Sequence, residues 1–290
     1  MDKYIGINNE CFKTGTVIDG KYGIIDKLST GCLCEIFNVL NLKSERIQTI
    51  KVIQCKYSSE QFALRLSVET DIINKIYHKY LPKVYDVFYE DGFIIVVMDL
   101  CCGISLDKFI LEAGPQSEGF VLDIAKKLLE VLDYLHSLNV VLNGLHLQNI
   151  LLTPVEEIRL IDFGTKKEII SKYYNDRSNV EPTYYDAPEK FIGLVDERTD
   201  IYSFGMILYA LLIGKDPSAP PYVIHPIRKI NPSISYGLEY IINKCMKRNL
   251  ESRYQDIGEI LNDLNNIKKI SKRNKKRHIA KLLAKRKQNN

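Results

Sequence analysis

VVLNGLHLQNILL, residues 140–152, is the stretch that decides the fold, and DFG follows it ten residues later at 162–164. Within the first stretch an apolar run leads into a short loop, and Asn149 then opens a second apolar run. A third hydrophobic run, Ile158 to Ile161, leads directly into Asp162. Short apolar runs bounded by loop residues are typical of buried strands. The pattern therefore predicts buried strands that place Asn149 and Asp162 at their ends.

These residues resemble the catalytic and metal-binding segments of the eukaryotic-like protein kinases, whose pattern is H-R-D-L-K-P-x-N followed by D-F-G. When Asn149 is aligned with the Asn of this pattern, Gly144 stands at the position of the catalytic Asp. Asn143 then stands at the preceding Arg, and His146 at the Lys two residues further on. The resemblance implies that Asn149 and Asp162 bind Mg²⁺, whereas the catalytic base is missing.

Other motifs of the same family follow in order between about Gly15 and Ile267. Residues 15–22, GTVIDGKY, resemble the segment that precedes the first strand of bacterial Ser/Thr kinases. Residues 187–189, APE, and residues 245–254, CMKRNLESRY, resemble later kinase motifs. On these motifs the chain is identified as a member of the bacterial eukaryotic-like, or Hanks-type, Ser/Thr protein kinase family.

The resemblance implies an α+β fold with two lobes, a small antiparallel β-sheet lobe with one helix and a larger, mainly helical lobe. The implied boundaries are residues 1–14 for a flexible N-terminus, 15–98 for the N-lobe, 99–267 for the C-lobe and 268–290 for a basic tail. A chain of 290 residues with 46% hydrophobic residues is long and apolar enough to bury the core of such a domain.

The spacing of apolar residues predicts the main elements of these lobes. The predicted strands are Ile24–Leu28, Glu35–Leu40 and Gln48–Ile53, followed by a hairpin over Phe88–Met98. The predicted helices are an amphipathic helix over Val121–Leu135, a buried helix over Asp196–Leu208 and a closing amphipathic helix over Ile257–Ile267. Two contacts are implied by the family pattern: Asp200 holding the backbone of the loop before Asn149, and Arg253 paired with Glu189.

Lys51 lies inside the apolar third strand, where an unpaired buried ammonium would be costly. Glu69 lies in the segment after this strand, where apolar residues recur at roughly helical spacing. In the family, the Glu at that position orients the Lys that contacts the ATP phosphates. The alternative is that Lys51 is a solvated edge-strand residue and Glu69 a surface acid of the helix.

Residues 97–106, VMDLCCGISL, match the kinase hinge pattern V-M-E-Y-V-x-G-x-S-L. The match makes Met98 the gatekeeper and turns the backbone of Asp99 and Cys101 toward the edge of an adenine ring. The remaining nucleotide-binding residues implied by the resemblance are Gly31, Ile36, Thr49 and Leu151. Gly31 alone survives from the glycine-rich loop, in which glycines let the backbone approach phosphates, so this turn equally fits an ordinary hairpin.

The groups that serve the phosphate acceptor in the family are replaced. Gly144 replaces the Asp base, His146 replaces the Lys, and Pro182 replaces the Thr of the segment that ends in APE. Asn143 replaces the Arg that contacts a phosphorylated activation loop, and an Asn side chain has no bidentate cationic fork. The residues that hold nucleotide and metal are present, so the pattern predicts an ATP-binding pseudokinase with a regulatory or scaffolding role toward a protein partner.

Two alternatives remain open at this stage. A general base contributes about 10²- to 10⁴-fold to the rate, so a low-activity Ser/Thr kinase is one of them, with His146 as a substitute base. The other is an adaptor for nucleic acid or membrane that acts through the basic tail.

The tail differs in charge from the rest of the chain. Residues 268–290 hold eleven Lys and Arg and no acidic residue, which leaves 29 basic against 36 acidic residues in the remainder. Ile279, Leu282 and Leu283 lie on one face if the tail forms a short helix, which would suit an anionic membrane surface or RNA.

The sequence has no apolar run of membrane-spanning length and no signal-peptide pattern. We therefore expect a cytoplasmic protein, with peripheral membrane association through the tail as the alternative.

Overall fold

The computed structural model describes residues 12–30, 34–54, 76–161, 183–217 and 224–288. These residues form two compact units. The first contains the described residues up to Cys102 together with Arg159–Ile161, and the second contains those from Gly103 to Ile158 and from Thr183 onward.

The first unit is a six-stranded antiparallel sheet in the order β1-β2-β3-β4-β6-β5. Its strands are β1 (Val17–Ile18), β2 (Tyr22–Thr30), β3 (Cys34–Asn41), β4 (Arg46–Gln54), β5 (Val84–Glu90) and β6 (Phe93–Met98). One face is covered by aliphatic and aromatic side chains that alternate along the strands, as expected where one face of a sheet is buried. Phe12 packs on this face with its ring centroid 4.9 Å from that of Phe93, although the sequence placed it in the flexible N-terminus.

The second unit is mainly helical. Its strands are β7 (Ile104–Ser105), β8 (Ile150–Leu152) and the first residue of β9 (Ile158–Leu160), and β7 pairs with β8. Its helices are α1 (Leu106–Ala113), α2 (Glu118–Ser137), α3 (Glu197–Ile213), α4 (Ile227–Ile230), α5 (Tyr236–Cys245), α6 (Ile257–Asn265) and α7 (Ile267–Gln288), with 3₁₀ turns at Leu147–Asn149, Pro188–Ile192 and Leu250–Ser252.

Helix α3 forms the centre of the second unit, because every residue from Thr199 to Leu212 is buried. Asp196 begins the helix with a capping box that includes Thr199, and Gly214 ends it in a left-handed conformation. The prediction of a central buried helix in this segment is confirmed.

The closing helix differs from its prediction. The sequence predicts one amphipathic helix through Ile267, but α6 ends at Asn265 and α7 starts anew at Ile267. Asn266 separates the two helices, and its carbonyl accepts from the N–H groups of Lys269 and Ile270 in the first turn of α7. Among the helices that the structure describes, none is long and apolar enough to cross a membrane.

Candidate functional site

Asp200 fixes the loop at residues 140–149, hereafter the 140–149 loop, from its fully buried position on α3. Its carboxylate accepts hydrogen bonds from the backbone N–H groups of Leu142 and Asn143, each at 2.8 Å. The family pattern implied this contact, and the geometry confirms it. A carboxylate that accepts two backbone N–H groups in a buried site holds the loop in one conformation.

His136 adds a contact that the sequence did not predict. Its Nε2 lies 3.0 Å from Oδ2 of Asp200, so the end of α2 is joined to the same carboxylate. The sequence signal was present, because His136 ends an amphipathic helix directly before the 140–149 loop. A buried imidazole in that place needs a polar partner, and Asp200 supplies it.

Asn149 ends the 3₁₀ turn of the loop and is buried. Its Nδ2 donates to the backbone carbonyl of Gly144 at 3.1 Å, so the amide is oriented and its oxygen keeps lone pairs for another partner. Mg²⁺ prefers oxygen ligands, so Asn149 fits the metal-binding role implied by the resemblance. Asp162, the other ligand implied, lies outside the described residues.

The 140–149 loop carries no carboxylate at the position of the base. Among the described residues, a Cβ placed on Gly144 would contact the carbonyl oxygen of Leu142 at 3.7 Å, so no crowding from this part of the chain requires a glycine. Asn143 adopts a left-handed φ of 49°, which Asn tolerates better than most residues. His146 directly precedes the 3₁₀ turn and is half-buried.

Lys51 lies on β4 in the first unit with its side chain almost fully buried, at 1% exposure. Its Cα partner across the strands is Ile36, and Thr49 lies two residues away on the same face. A buried ammonium needs an anionic or strongly polar partner. Glu69, the partner implied by the resemblance, lies outside the described residues, so that pairing stays a prediction.

The start of the hinge is fixed to β5 through the side chain of Asp99. Its carboxylate accepts from the backbone N–H of Lys83 at 3.0 Å and from the hydroxyl of Tyr85 at 2.7 Å. The hydrogen bond to Asp99 raises the pKa of Tyr85 above its ordinary value. The N–H of Asp99 in turn donates to the carbonyl of Lys83 at 2.9 Å, so this end of the hinge has a defined conformation.

The hinge N–H of Cys101 is already bonded within the chain. It donates to Oγ1 of Thr49 at 2.9 Å, and both residues are buried. The thiol of Cys101 donates to the carbonyl of Asp99 at 3.3 Å. Burial raises the pKa of this thiol to about 12, which keeps the proton on sulfur at neutral pH. The sequence did not predict either hydrogen bond, although a Thr where the family has Ala was a visible signal.

The other predicted site residues are divided between described and undescribed parts of the chain. Ile36 and Met98 are buried in the first unit, and Leu151 is buried on β8 in the second. The predicted site residues that lie outside the described residues are Gly31, Glu69, Asp162 and Pro182.

The predicted pair of Arg253 and Glu189 is present in the second unit. Two guanidinium nitrogens of Arg253 lie 2.6 Å and 3.0 Å from the two carboxylate oxygens of Glu189, and both side chains are buried. Arg253 also donates to the carbonyls of Lys247 and Arg198. The pair therefore ties the 3₁₀ turn at Pro188–Ile192 to the segment before α6.

A six-stranded antiparallel sheet unit and a helical unit with an Asp-anchored loop define a protein of the protein-kinase-like fold class. The family model described as "Protein kinase domain" matches residues 22–265, and the chain belongs to this family. The predicted family and the predicted α+β, two-lobed kinase fold are confirmed.

Curated relatives include serine/threonine-protein kinases of bacteria. A probable serine/threonine-protein kinase of Clostridium acetobutylicum is 28% identical over 268 residues, which cover 88% of this chain and 41% of that protein. PrkC of Bacillus subtilis is 24% identical over 277 residues, which cover 91% of this chain and 43% of that protein. The chain thus spans about two fifths of the length of these curated relatives.

Solved structures show the same fold. The crystal structure of the PknI kinase domain of Mycobacterium tuberculosis matches with a TM-score of 0.70 and 22% identity. The match covers 88% of this chain and 99% of that domain.

Proposed function

We propose that this protein is a pseudokinase, a kinase-fold protein that binds ATP with Mg²⁺ and acts through a protein partner rather than by phosphorylating a substrate. The observation that carries the proposal is Gly144, which stands at the base position of a loop that is otherwise held in place. Asp200 binds the backbone of this loop, and Asn149 is oriented by the carbonyl of Gly144. The backbone of the loop is therefore held in place, whereas the side chains that serve the phosphate acceptor in the family are replaced at Gly144 and His146.

In the first unit, the described residues proposed to bind nucleotide are Ile36, Thr49, Lys51, Met98, Asp99 and Cys101. In the second unit, they are Leu151 for nucleotide and Asn149 for Mg²⁺. Lys51 would contact the phosphates, and the amide oxygen of Asn149 would bind Mg²⁺, as those residues do in the family. ATP and Mg²⁺ would supply anionic phosphates and a divalent charge for these groups. Gly31, Glu69 and Asp162 complete the proposed set on the sequence resemblance alone.

Thermal unfolding with and without ATP and Mg²⁺ tests nucleotide binding. Ligand at 100 times Kd should add about 2.7 kcal/mol to the free energy of unfolding, which raises the melting temperature. Lys51→Ala should abolish this shift. Lys83→Ala removes an exposed side chain and leaves the backbone hydrogen bonds between residue 83 and Asp99 in place, so it should keep the shift. Absence of any shift in the wild type, or a shift that Lys51→Ala leaves unchanged, contradicts the proposal.

The same fold also supports a low-activity Ser/Thr kinase as the alternative enzyme function. Loss of a general base lowers the rate by about 10²- to 10⁴-fold without removing the other contributions to phosphoryl transfer. His146 lies in the 140–149 loop two residues after Gly144 and could accept a proton from a hydroxyl. Measured phosphoryl transfer distinguishes this alternative from the pseudokinase.

Helix α7 supports a second candidate function, binding to an anionic membrane surface. One stripe of α7 docks on α5: Ile270 is buried, and the ring of His278 lies 5.6 Å from that of Tyr236. The opposite stripe carries exposed basic and aliphatic side chains at helical spacing, namely Lys272, Lys276, Ile279 and Leu283. Ile279 and Leu283 are 46% and 55% exposed. Basic residues next to exposed aliphatic ones suit a lipid surface, whereas RNA would be bound by the charges alone.

Cosedimentation with vesicles tests this second candidate. Vesicles that contain phosphatidylserine should bind the protein, and neutral vesicles should not. The double variant Ile279→Ser/Leu283→Ser should lose binding, while Leu111→Ser/Val155→Ser, which changes two exposed aliphatic residues of α1 and the loop after β8, should keep it. A lipid partner is contradicted if the protein binds RNA but not vesicles and neither double variant changes the binding to RNA.

A further inference from the structure

The N–H of Cys101, the hinge donor that the resemblance assigns to the edge of the base, is bonded to the hydroxyl of Thr49. The N–H of Cys101 donates to Thr49 Oγ1 at 2.9 Å, and neither residue is more than 4% exposed. Oγ1 of Thr49 lies 3.5 Å from Oδ1 of Asn38, its cross-strand partner. A backbone N–H carries a single hydrogen, so a bound base could use this donor only by displacing Thr49.

The hinge acceptor is partly engaged as well. The carbonyl of Asp99 accepts the thiol of Cys101 at 3.3 Å. A carbonyl oxygen has two lone pairs, so Asp99 can accept one further hydrogen bond from a ligand. The engaged donor at Cys101 is therefore the feature that limits base recognition.

We propose that Thr49 weakens the base selectivity of the nucleotide site, because its hydrogen bond to the hinge removes one of the two hinge contacts that distinguish ATP from GTP. This inference rests on the proposed nucleotide binding. The protein would recognise purine nucleoside triphosphates mainly through their phosphates and ring faces, with the carbonyl of Asp99 as the remaining hinge contact to the edge of the base.

Adenine and guanine differ in the hydrogen-bonding groups that they present at the edge of the ring that would face the hinge. Adenine presents an amino donor and the acceptor N1, which complement the carbonyl of Asp99 and a free N–H of Cys101. Guanine presents the acceptor O6 and a donor at N1, which would oppose both hinge groups. A site that can form such a hydrogen bond rejects the analogue that cannot. When the Thr49 hydroxyl occupies the N–H of Cys101, the penalty against guanine at this group is lost together with the gain for adenine, whereas the carbonyl of Asp99 still favours adenine.

Calorimetric titration of the full chain with Mg²⁺-ATP, Mg²⁺-GTP and Mg²⁺-tripolyphosphate tests the inference. The wild type should bind ATP no more than about tenfold more tightly than GTP, which is the value of the one hinge hydrogen bond that the carbonyl of Asp99 can still accept from adenine. Thr49→Ala frees the N–H and should shift the ratio toward ATP by about tenfold, the value of one hydrogen bond of about 1.4 kcal/mol. Thr49→Ser retains the hydroxyl and should keep the wild-type ratio.

Each contrary result has a distinct meaning. A wild-type preference for ATP above about 30-fold, or a ratio that Thr49→Ala leaves unchanged while binding persists, overturns the role of Thr49 and leaves nucleotide binding in place. Failure of ATP, GTP and tripolyphosphate alike to bind the wild type overturns the proposed function itself. The wild-type ratio needs no variant, so it decides the inference even if Thr49→Ala does not fold.

Discussion

A Cβ at position 144 meets no close contact in the part of the chain that the structure describes. Gly144 does not have a left-handed φ, and among the described residues its added Cβ would make an ordinary contact with the carbonyl of Leu142 at 3.7 Å. We predict that Gly144→Asp keeps the stability of the wild type within about 0.5 kcal/mol and raises phosphoryl transfer to a generic protein substrate by about 10²-fold. A radiolabel transfer assay measures the gain.

Gly144→Asn is the matched control for this prediction, because Asn has the size of Asp but cannot act as a base. It should transfer no more phosphate than the wild type. The gain of Gly144→Asp should also vanish in combination with Asp162→Ala. Equal rates for the Asp and Asn variants would contradict the view that the base is the missing group.

Asp200 should contribute strongly to stability. Asp200→Ala would remove the acceptor of the buried backbone N–H of Leu142 and of the part-buried N–H of Asn143, together with the partner of His136. Each unsatisfied buried donor costs about 1–3 kcal/mol, so urea denaturation should show a loss of about 3 kcal/mol or more. Asp133→Ala, which changes an exposed aspartate of α2, should cost less than about 0.5 kcal/mol. Similar losses for both variants would refute this role.

Residue-level prediction from the sequence succeeded where a position has a fixed partner in the family. Asp200 and the 140–149 loop are such a case, because the family pattern pairs the Asp of the later motif with the backbone of the loop. The bond between Thr49 and Cys101 was not predicted, because the family pattern describes this hinge N–H as facing a ligand. Only the register that pairs Thr49 with Met98 on adjacent strands shows that the hydroxyl reaches Cys101.

At the scale of elements, the ion pair of Arg253 and Glu189 joins two segments that have no regular hydrogen bonding between them. Removing either partner leaves the other charge buried, so Arg253→Ala and Glu189→Ala should each lower the free energy of unfolding by about 3–5 kcal/mol. The double variant should lose much less than the two losses added together. Equilibrium unfolding in urea measures all three.

The exposed pair of Arg198 and Glu251 is the control for this cycle. The side chain of Glu251 is 80% exposed, and such surface pairs contribute about 0–1 kcal/mol. Glu251→Ala should therefore have little effect. Additive losses in the Arg253 and Glu189 cycle would show that the buried pair is not a coupled unit.

The contact between α3 and α5 depends on a glycine. A Cβ on Gly205 would lie 2.6 Å from Cβ of Cys245 and 3.0 Å from Cγ of Met246. We predict that Gly205→Ala pushes the helices apart and costs about 1–3 kcal/mol. Gly119→Ala in α2 meets no atom closer than 4.0 Å and should stabilise by about 0.4–1 kcal/mol. Thermal melting of both variants checks the contrast, and equal shifts would contradict the close approach.

Elements with a clear apolar period were predictable, and their ends were not. The buried segment of α3 and the strands around Lys51 follow directly from their apolar runs. The break at Asn266 was not predicted, because Ile267 continues the apolar spacing of α6. That residue instead begins α7 and packs on Gly237, where a Cβ would lie 2.5 Å from the carbonyl of Ile267, so tertiary packing decides where the helix ends.

At the scale of the whole molecule, the chain combines a kinase fold, a glycine at position 144 where the resemblance places the catalytic Asp, and a basic helix, α7. The docking of Ile270 and His278 on α5 means that the first half of α7 belongs to the folded second unit. The sequence could not reveal this division, since basic residues recur along the whole segment from Lys268 to Lys287. The charge of the tail was predictable from the sequence, whereas the packing of its first half on α5 was not.

Transfer of labelled γ-phosphate from ATP, with Mg²⁺ and a generic protein substrate, is the measurement that tests the central claim most directly. Wild type and Asp162→Ala are compared at equal concentration, under conditions where thermal unfolding shows that the wild type binds ATP. The account predicts that the label on the substrate and on the protein itself stays at the same background level for both proteins. Labelling by the wild type that Asp162→Ala abolishes would contradict it and show that the protein is an active kinase.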